Sequence, residues 1–132
     1  MSWLPEEYLD LFKDETKAFA CLATIQKDGS PQLTPVWFNI KGEYILINSA
    51  KGRVKDRNMR RDRRVAMVII DPKNPYRYIQ IRGKVVEMTT DGAREHIDLL
   101  AKKYTGSDKY TSFTPDETRV IYKIIPENLH SQ

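Results

Sequence analysis

Short stretches of alternating or continuous apolar residues, separated by turn-forming residues, dominate the hydrophobic pattern of this chain. This pattern is typical of β-strands, and it predicts six of them, over residues 19–26, 32–40, 43–48, 65–71, 76–88 and 119–125. Three other segments repeat apolar positions at helical spacing, which predicts helices over residues 3–13, 52–61 and 90–104. The pattern therefore predicts a mainly β protein of the α+β class, a small and mostly antiparallel barrel with peripheral helices.

Turn and breaker residues indicate how the strands follow one another. Asp28-Gly29 is a strong signal for a tight hairpin, so the second strand should fold back on the first. Pro31 and Pro35 remove two backbone donors from the second strand, which places it at an edge or a bulge. With Lys41-Gly42 as the next turn, we expect the first three strands to form a meander. Gly83, inside the longest predicted strand, marks a bulge or a sharp bend.

The last predicted helix and strand carry signals at their ends and on their faces. Thr90 is a residue type suited to the N-cap of that helix, with Leu100 and Tyr104 among its inward-facing positions. The final strand is apolar on both faces, since Val120 and Ile121 point to opposite sides. Both faces should therefore be covered, and a dimer interface could supply part of that cover.

Length and composition limit the class of protein. A chain of 132 residues leaves room for one domain, 1–132. With 40% hydrophobic and 30% charged residues, it is too apolar for a disordered chain and too mixed for a fibrous one. No apolar stretch approaches the ~20 residues of a membrane span, and the acidic start lacks the features of a signal peptide. We therefore expect a cytoplasmic protein without membrane contact.

Cysteine and histidine are too few for a metal centre. The single cysteine, Cys21, lies in an apolar run and is predicted to be a small buried hydrophobic residue. With His96 and His130, it falls short of the four ligands of a structural zinc site and shows no ligand spacing. We therefore expect no metal ion.

Positive charge is concentrated in one segment. Residues 51–64 carry eight basic residues against two acidic ones, whereas the whole chain has a net charge of +4. Such concentration favours a local anion site over general binding to a polyanion. The alternative is that these residues form the solvated face of an ordinary helix.

The chemistry-bearing residues indicate binding and no protein nucleophile. Neither His96 nor His130 is placed beside a serine or cysteine, so both are predicted to be structural or solvated. The aromatic strand 34–38, the strand end 47–49 and the basic turn 51–58 instead combine surfaces for a planar ring with a helix start for a phosphate. This combination indicates a phosphorylated aromatic cofactor; alternatively, the aromatic residues belong to the core.

The motifs along the chain resemble those of a known superfamily. Four motifs follow one another along the chain: Thr34-Pro35-Val36-Trp37-Phe38, Lys55-x-Arg57-Asn58-Met59, Asp71-Pro72-x-Asn74-Pro75 and Arg82-Gly83. Their order is similar to that of the pyridoxamine 5'-phosphate oxidase-like, flavin-binding split-barrel superfamily. Within it, the sequence resembles most the small deazaflavin-dependent (coenzyme F-420) oxidoreductases. The resemblance covers about residues 7–126. It implies a six-stranded antiparallel split β-barrel that forms a homodimer with two cofactor sites at the interface.

The resemblance also implies a role for individual residues. The positions that match cofactor contacts in the family are Pro35, Val36 and Trp37 behind the ring, Ile47, Asn48 and Ser49 beside the ring and ribityl chain, Arg53, Lys55 and Asn58 around the phosphate, and Arg77 and Tyr78 from the partner subunit. Lys51 and Arg57 are further basic residues of the same turn. No catalytic side chain is implied, since the cofactor itself would carry the hydride.

Four functions follow in order of preference. The first is an oxidoreductase that transfers hydride between F-420, or alternatively FMN, and a small organic substrate that the sequence does not identify. The second is a flavin- or deazaflavin-binding protein without turnover. A haem-binding protein would have only His96 and His130 as histidine ligands, and a nucleic-acid-binding module would need an aromatic-rich basic face that the chain lacks. The surplus of basic residues is consistent with the acidic tail of F-420.

Overall fold

The computed structural model describes residues 2–131. In these residues seven strands form one curled antiparallel sheet, a half-barrel, in the order β2-β1-β5-β6-β7-β4-β3. The strands are β1 (Ala20–Ile25), β2 (Pro31–Val36), β3 (Phe38–Lys41), β4 (Tyr44–Ala50), β5 (Arg64–Asp71), β6 (Asn74–Thr89) and β7 (Arg119–Ser131), and the two α-helices are α1 (Val54–Arg61) and α2 (Ala93–Thr105). The mainly β, antiparallel architecture is confirmed, but the predicted number of six strands is wrong.

The seventh strand arises because the predicted second strand breaks at Trp37. Residues before Trp37 belong to β2 and pair with β1, where Pro35 lies opposite Cys21. Residues after it belong to β3 and pair with β4, where Phe38 lies opposite Ile47. Since β2 and β3 are the two edges of the sheet, Trp37 carries the chain from one edge to the other. The predicted meander is therefore wrong, and the first four strands form two separate hairpins.

The first hairpin and its edge strand agree with the prediction. Gly29 adopts a left-handed φ of +90° in the turn, and Asp28 accepts hydrogen bonds from the backbone and hydroxyl of Ser30. Pro31 and Pro35 lie on β2, which is an edge strand. Their missing N–H groups therefore cost the sheet no internal hydrogen bond.

A bulge at Gly83 is also confirmed. The pairing register of β6 with β7 shifts between Arg82 and Gly83. A Cβ at position 83 would lie 2.3 Å from the carbonyl oxygen of Ile125 on β7. Only glycine permits this close approach of the two backbones.

The helices differ from the prediction at the N-terminus and in one cap. The predicted first helix is instead a pair of 3-10 helices, Glu6–Phe12 and Asp14–Thr16, of which the first buries Tyr8 against the core. α1 lies within its predicted segment. α2 begins later than predicted, because Gly92 with a φ of +72° is its N-cap and Thr90 is not. None of the helices in residues 2–131 is long and apolar enough to cross a lipid bilayer.

The core fills the concave face of the sheet. Its largest fully buried side chains include Tyr122, Phe38, Leu11, Leu22 and Met59. On β7, alternate residues such as Tyr122 are fully buried, whereas the opposite face is half-buried and in part packs against α2. The prediction that Cys21 is buried is wrong, because alternation along β1 places it, half-exposed, on the outer face.

Candidate functional site

A pocket of about 410 Å³ lies where α2, the ends of β4 and β7, and the Trp37 connection meet. Its wall combines aromatic, aliphatic and cationic side chains. They are Phe19, Pro35, Val36, Trp37, Asn48, Arg53, Lys55, Ile97, Leu100, Tyr110 and Arg119. This volume is within the usual range of roughly 300 to 1,000 Å³ for small-molecule sites.

Stacked aromatic rings support one wall, which Phe19 and Trp37 line while Tyr104 lies behind it. The Trp37 ring lies parallel to the Tyr104 ring at 5.3 Å and 8°, and Tyr104 stacks in turn on Phe19 at 5.1 Å. The Tyr104 hydroxyl donates a hydrogen bond of 2.6 Å to the carbonyl of Ala18, and burial raises its pKa to about 12. The stack is therefore fixed in position, and Trp37 presents a flat surface against which a planar ring can pack.

Three cations converge on the pocket. Arg53 is the N-cap residue of α1, Lys55 lies in the first turn of α1, and Arg119 begins β7. In the part of the chain that the structure describes, Lys55 has no hydrogen-bonded or ionic partner. Burial, together with the charges of Arg53 and Arg119, lowers the pKa of Lys55. An anion placed among these three side chains would relieve both effects.

A buried hydrogen-bond network positions Arg119. Asn48 accepts a hydrogen bond of 2.8 Å from Nε of Arg119, and its amide group donates to the carbonyl of Ala93 and to Nδ1 of His96. Nε2 of His96 is then the protonated nitrogen and donates to Oδ1 of Asn39 at 2.7 Å. Burial first, and the charge of Arg119 second, lower the pKa of His96 to about 4. The neutral His96 ring therefore positions the Asn48 amide through a hydrogen bond, and Asn48 in turn positions the Arg119 guanidinium.

Other basic residues of the segment 51–64 are neutralised locally. Arg60 pairs with Asp56 at 3.1 Å, and Arg64 pairs with Asp62 at 2.7 Å. Arg57 donates to the carbonyl of Gly52. Among the described residues, Lys55 at the pocket and Lys51, Arg57 and Arg61 around α1 are therefore cations of this region without a carboxylate partner, whereas Arg53 pairs with Glu117.

Six of the eleven residues predicted from the family resemblance line this pocket. They are Pro35, Val36, Trp37, Asn48, Arg53 and Lys55. Ile47 and Ser49 do not, because alternation along β4 points them away from Asn48 into the core, where both are fully buried. Asn58 is also buried and donates to the hydroxyl of Thr24 at 3.0 Å.

The two residues predicted to act from a partner subunit lie on β6, away from the pocket of their own chain. The Arg77 guanidinium pairs with Asp10 at 2.6 Å and with Asp71 at 2.9 Å. These hydrogen bonds and charges raise the pKa of Arg77. Within one chain, Arg77 therefore fastens the N-terminal 3-10 helix to the sheet. Tyr78 is half-buried on the same strand.

Sequence reasoning missed five residues of the wall. Phe19 was expected only as the first residue of a strand. Ile97 and Leu100 were expected on the inward face of α2, but without a link to the site. Tyr110 lies in an irregular loop, where no periodicity indicates orientation. Arg119 had one available signal, a charged residue at the start of an otherwise apolar strand.

The pocket has the chemistry of a site for a flat ring that carries an anionic group. Trp37 supplies the flat surface, and Arg53 and Lys55 supply hydrogen-bond donors with positive charge. Two buried hydroxyls among the described residues, those of Thr34 and Ser49, have no hydrogen-bond partner, but neither residue lines the pocket.

Comparison with known proteins gives one matching family model and several structures with the same fold. Residues 4–132 match the family model described as pyridoxamine 5'-phosphate oxidase. The chain is 34% identical to an F-420 reductase, with 98% of this chain and 100% of that chain covered and a TM-score of 0.83. A candidate pyridoxamine 5'-phosphate oxidase from Listeria innocua, 19% identical, shares the fold over 96% of this chain and 95% of that chain with a TM-score of 0.71. A conserved hypothetical protein from Mycobacterium tuberculosis, 23% identical, shares the fold over 97% of this chain and 84% of that chain with a TM-score of 0.71.

Proposed function

Starting from the premise that the chain belongs to the pyridoxamine 5'-phosphate oxidase family, we propose that it is an oxidoreductase that binds F-420 in the pocket beside Trp37 and exchanges hydride with a small organic substrate. The observation that carries the proposal is the union of a fixed aromatic surface with the cations Arg53, Lys55 and Arg119 in one cavity. Membership of the family is compatible with FMN as well as with F-420.

The roles of the residues follow from their chemistry. The bound cofactor would supply the hydride transfer, so the protein needs to bind and orient it. Pro35, Val36 and Trp37 would support the ring, while Arg53 and Lys55 would bind the phosphate through charge-assisted hydrogen bonds. The aliphatic residues of α2 that line the pocket would exclude water from the ring. The residues that line the pocket include no histidine or carboxylate, and their titratable side chains besides the arginines are Lys55 and Tyr110.

The proposal of F-420 in place of FMN rests on the similarity to the F-420 reductase and on charge. Both cofactors contain a phosphate, but F-420 also carries an acidic tail. Lys51, Arg57 and Arg61 are exposed around α1 and have no carboxylate partner among the described residues, so they are available to such a tail. Arg60 contributes less than its sequence position indicated, because it pairs with Asp56.

We expect F-420 to bind more tightly than FMN at low ionic strength, and its advantage to shrink as salt is added. Salt screens the attraction between exposed charges beyond about 8 Å at physiological ionic strength, so the acidic tail of F-420 should contribute less to binding as salt is added. FMN has no such tail, so its affinity does not contain this contribution. Fluorescence titration of both cofactors at low and high salt measures the difference. Tighter binding of FMN in both conditions would contradict the assignment of F-420 and leave FMN as the cofactor.

Turnover separates an oxidoreductase from a protein that only binds the cofactor. Reduced F-420 is mixed with the protein and a panel of enones, quinones and tetrapyrroles, and cofactor oxidation is followed by absorbance. Protein-dependent oxidation with any member supports the enzyme. Tight cofactor binding without oxidation across the panel would favour the non-catalytic function.

We also propose that the chain forms a two-fold homodimer through the outer face of β1, β2 and β5. Apolar side chains on this face are exposed, with Leu33 at 67% and Ile70 at 37%, and Cys21, Leu33 and Val68 line a groove of about 320 Å³. A second copy would cover this surface, and by the family resemblance Arg77 and Tyr78 would then lie near the partner's pocket. Light scattering at micromolar concentration should report twice the chain mass of 15.4 kDa; a folded monomer would contradict the dimer.

A further inference from the structure

One carboxylate outside the pocket wall pairs with two of the three pocket cations. Glu117 lies in the loop between α2 and β7, and its side chain is only 2% exposed. One of its oxygens lies 2.6 Å from the Arg53 guanidinium, and the other lies 3.0 Å from that of Arg119. Across residues 2–131, neither arginine pairs with any other carboxylate.

The two arginines do not depend equally on this carboxylate. Arg119 is also held by Asn48 through Nε, at 2.8 Å. The Arg53 side chain is 43% exposed, so water can solvate it without Glu117. A phosphate would offer both guanidiniums the same oxygen geometry that Glu117 offers. Lys55, the third cation, is left without a carboxylate.

The loop that carries Glu117 is irregular but anchored beside the pocket. The backbone N–H of Lys51 donates to the carbonyl of Thr118 at 2.9 Å, and Asp116 adopts a left-handed φ of +64°. Thr114 contacts Glu117 through its hydroxyl at 3.5 Å. The Glu117 carboxylate thus contacts the arginines from a loop that lies outside the helices and strands.

We propose that Glu117 is an internal anion that competes with the phosphate of the ligand for Arg53 and Arg119, and so determines the affinity of the pocket for phosphorylated ligands. This inference rests on the phosphate site of the proposed function and goes beyond it. A ligand phosphate enters between Lys55 and the arginines and displaces the carboxylate. A ligand without phosphate gains nothing from the arginines, because Glu117 keeps them paired. The pocket therefore discriminates between phosphorylated and unphosphorylated forms of one ring.

The test measures binding of inorganic phosphate by titration calorimetry to the wild-type chain and to Glu117→Gln. The amide keeps the size of the side chain but removes its charge, so phosphate should bind about tenfold more tightly, an ordinary coupling between two interacting groups. The matched control is Glu127→Gln, which changes the net charge equally at an exposed carboxylate that contacts Lys84; phosphate affinity should change less than twofold there. Unchanged or weaker binding to Glu117→Gln would overturn the proposal and make Glu117 a positioning residue for the arginines.

A second variant covers the case in which loss of the charge beside buried Arg119 prevents folding. Glu117→Asp keeps the charge but is one methylene shorter, so it loses at least one arginine contact. Phosphate should then bind several-fold more tightly and should raise the melting temperature more than in the wild type. Equal affinity and an equal rise would overturn the proposal. If the phosphate result holds but neither FMN nor F-420 binds any variant, the proposed function fails and this inference stands.

Discussion

Replacing Lys55 with alanine should weaken the binding of both F-420 and FMN by ten- to a hundredfold, because it removes a charge-assisted hydrogen bond to the phosphate worth roughly 1.5 to 3 kcal/mol. Lys55 lines the pocket and has no partner among the described residues that could hold it elsewhere. Fluorescence titration at constant ionic strength measures the change in affinity.

The same variant should fold at least as well as the wild type. Burial and the charges of Arg53 and Arg119 lower the pKa of Lys55, so its charged form opposes folding, and the protein loses nothing when that charge is removed. For the same reason, phosphate affinity of the wild type should decline at alkaline pH earlier than an ordinary lysine would cause. Lys27→Ala, at an exposed hairpin turn, is the matched control and should bind both cofactors normally. Equal affinities of Lys55→Ala and the wild type would remove this turn from the site.

Replacing Gly83 with alanine should destabilise the fold by about 3 kcal/mol or more, which is a large part of a typical stability of about 5 to 15 kcal/mol. The new Cβ would lie 2.3 Å from the carbonyl oxygen of Ile125 and 3.2 Å from the Cα of Pro126. These are backbone atoms, so a side-chain rotation cannot relieve the contact, and β6 and β7 must separate. Urea unfolding measures the loss.

Gly42→Ala separates this steric cost from the conformational cost of losing a glycine. Gly42 has a left-handed φ of +61° and open space around it, so alanine there should cost only about 1 to 2 kcal/mol. The two variants carry the same chemical change. If Gly83→Ala were no less stable than Gly42→Ala, the close approach of β6 and β7 would not be the reason for glycine at position 83.

Much of the local structure could be predicted because single residues determine it. Gly29, Pro31 and Pro35, and Gly83 act through their own backbone geometry, and the turn, the edge strand and the bulge were found where these residues predicted them. The pairing of strands depends on contacts between segments that are distant in sequence. The spacing of apolar residues within one strand does not indicate which strand pairs with it. The turn at Asp28-Gly29 correctly indicated that β2 lies beside β1, but nothing local indicated that the predicted second strand breaks at Trp37 and that β3 pairs with β4 at the other edge. The meander was therefore wrong.

The site could be predicted where its residues share one continuous motif. Pro35, Val36 and Trp37 are consecutive, and Arg53 and Lys55 lie in one turn. Alternation along β4 points Asn48 toward the pocket, and Ile47 and Ser49 toward the core. A sequence motif does not specify which of its residues face the pocket. Arg119 and Glu117 reach the pocket only through the loop and the pairing of β7, so the basic segment alone gave no indication of them.

The pairing of β7 with β4 has a consequence for how the protein acquires its binding capacity. Asn48 on β4 and Arg119 on β7 are brought together by pairing in which Ser49 lies opposite Val120, although most of the chain separates them in sequence. Contacts between such distant segments carry a large loop-closure entropy and form late in folding. A nascent or truncated chain that ends before β7 would contain the basic turn and Trp37 but no complete pocket. Cofactor could therefore stabilise only the finished fold, and could not act as a template for the early hairpins.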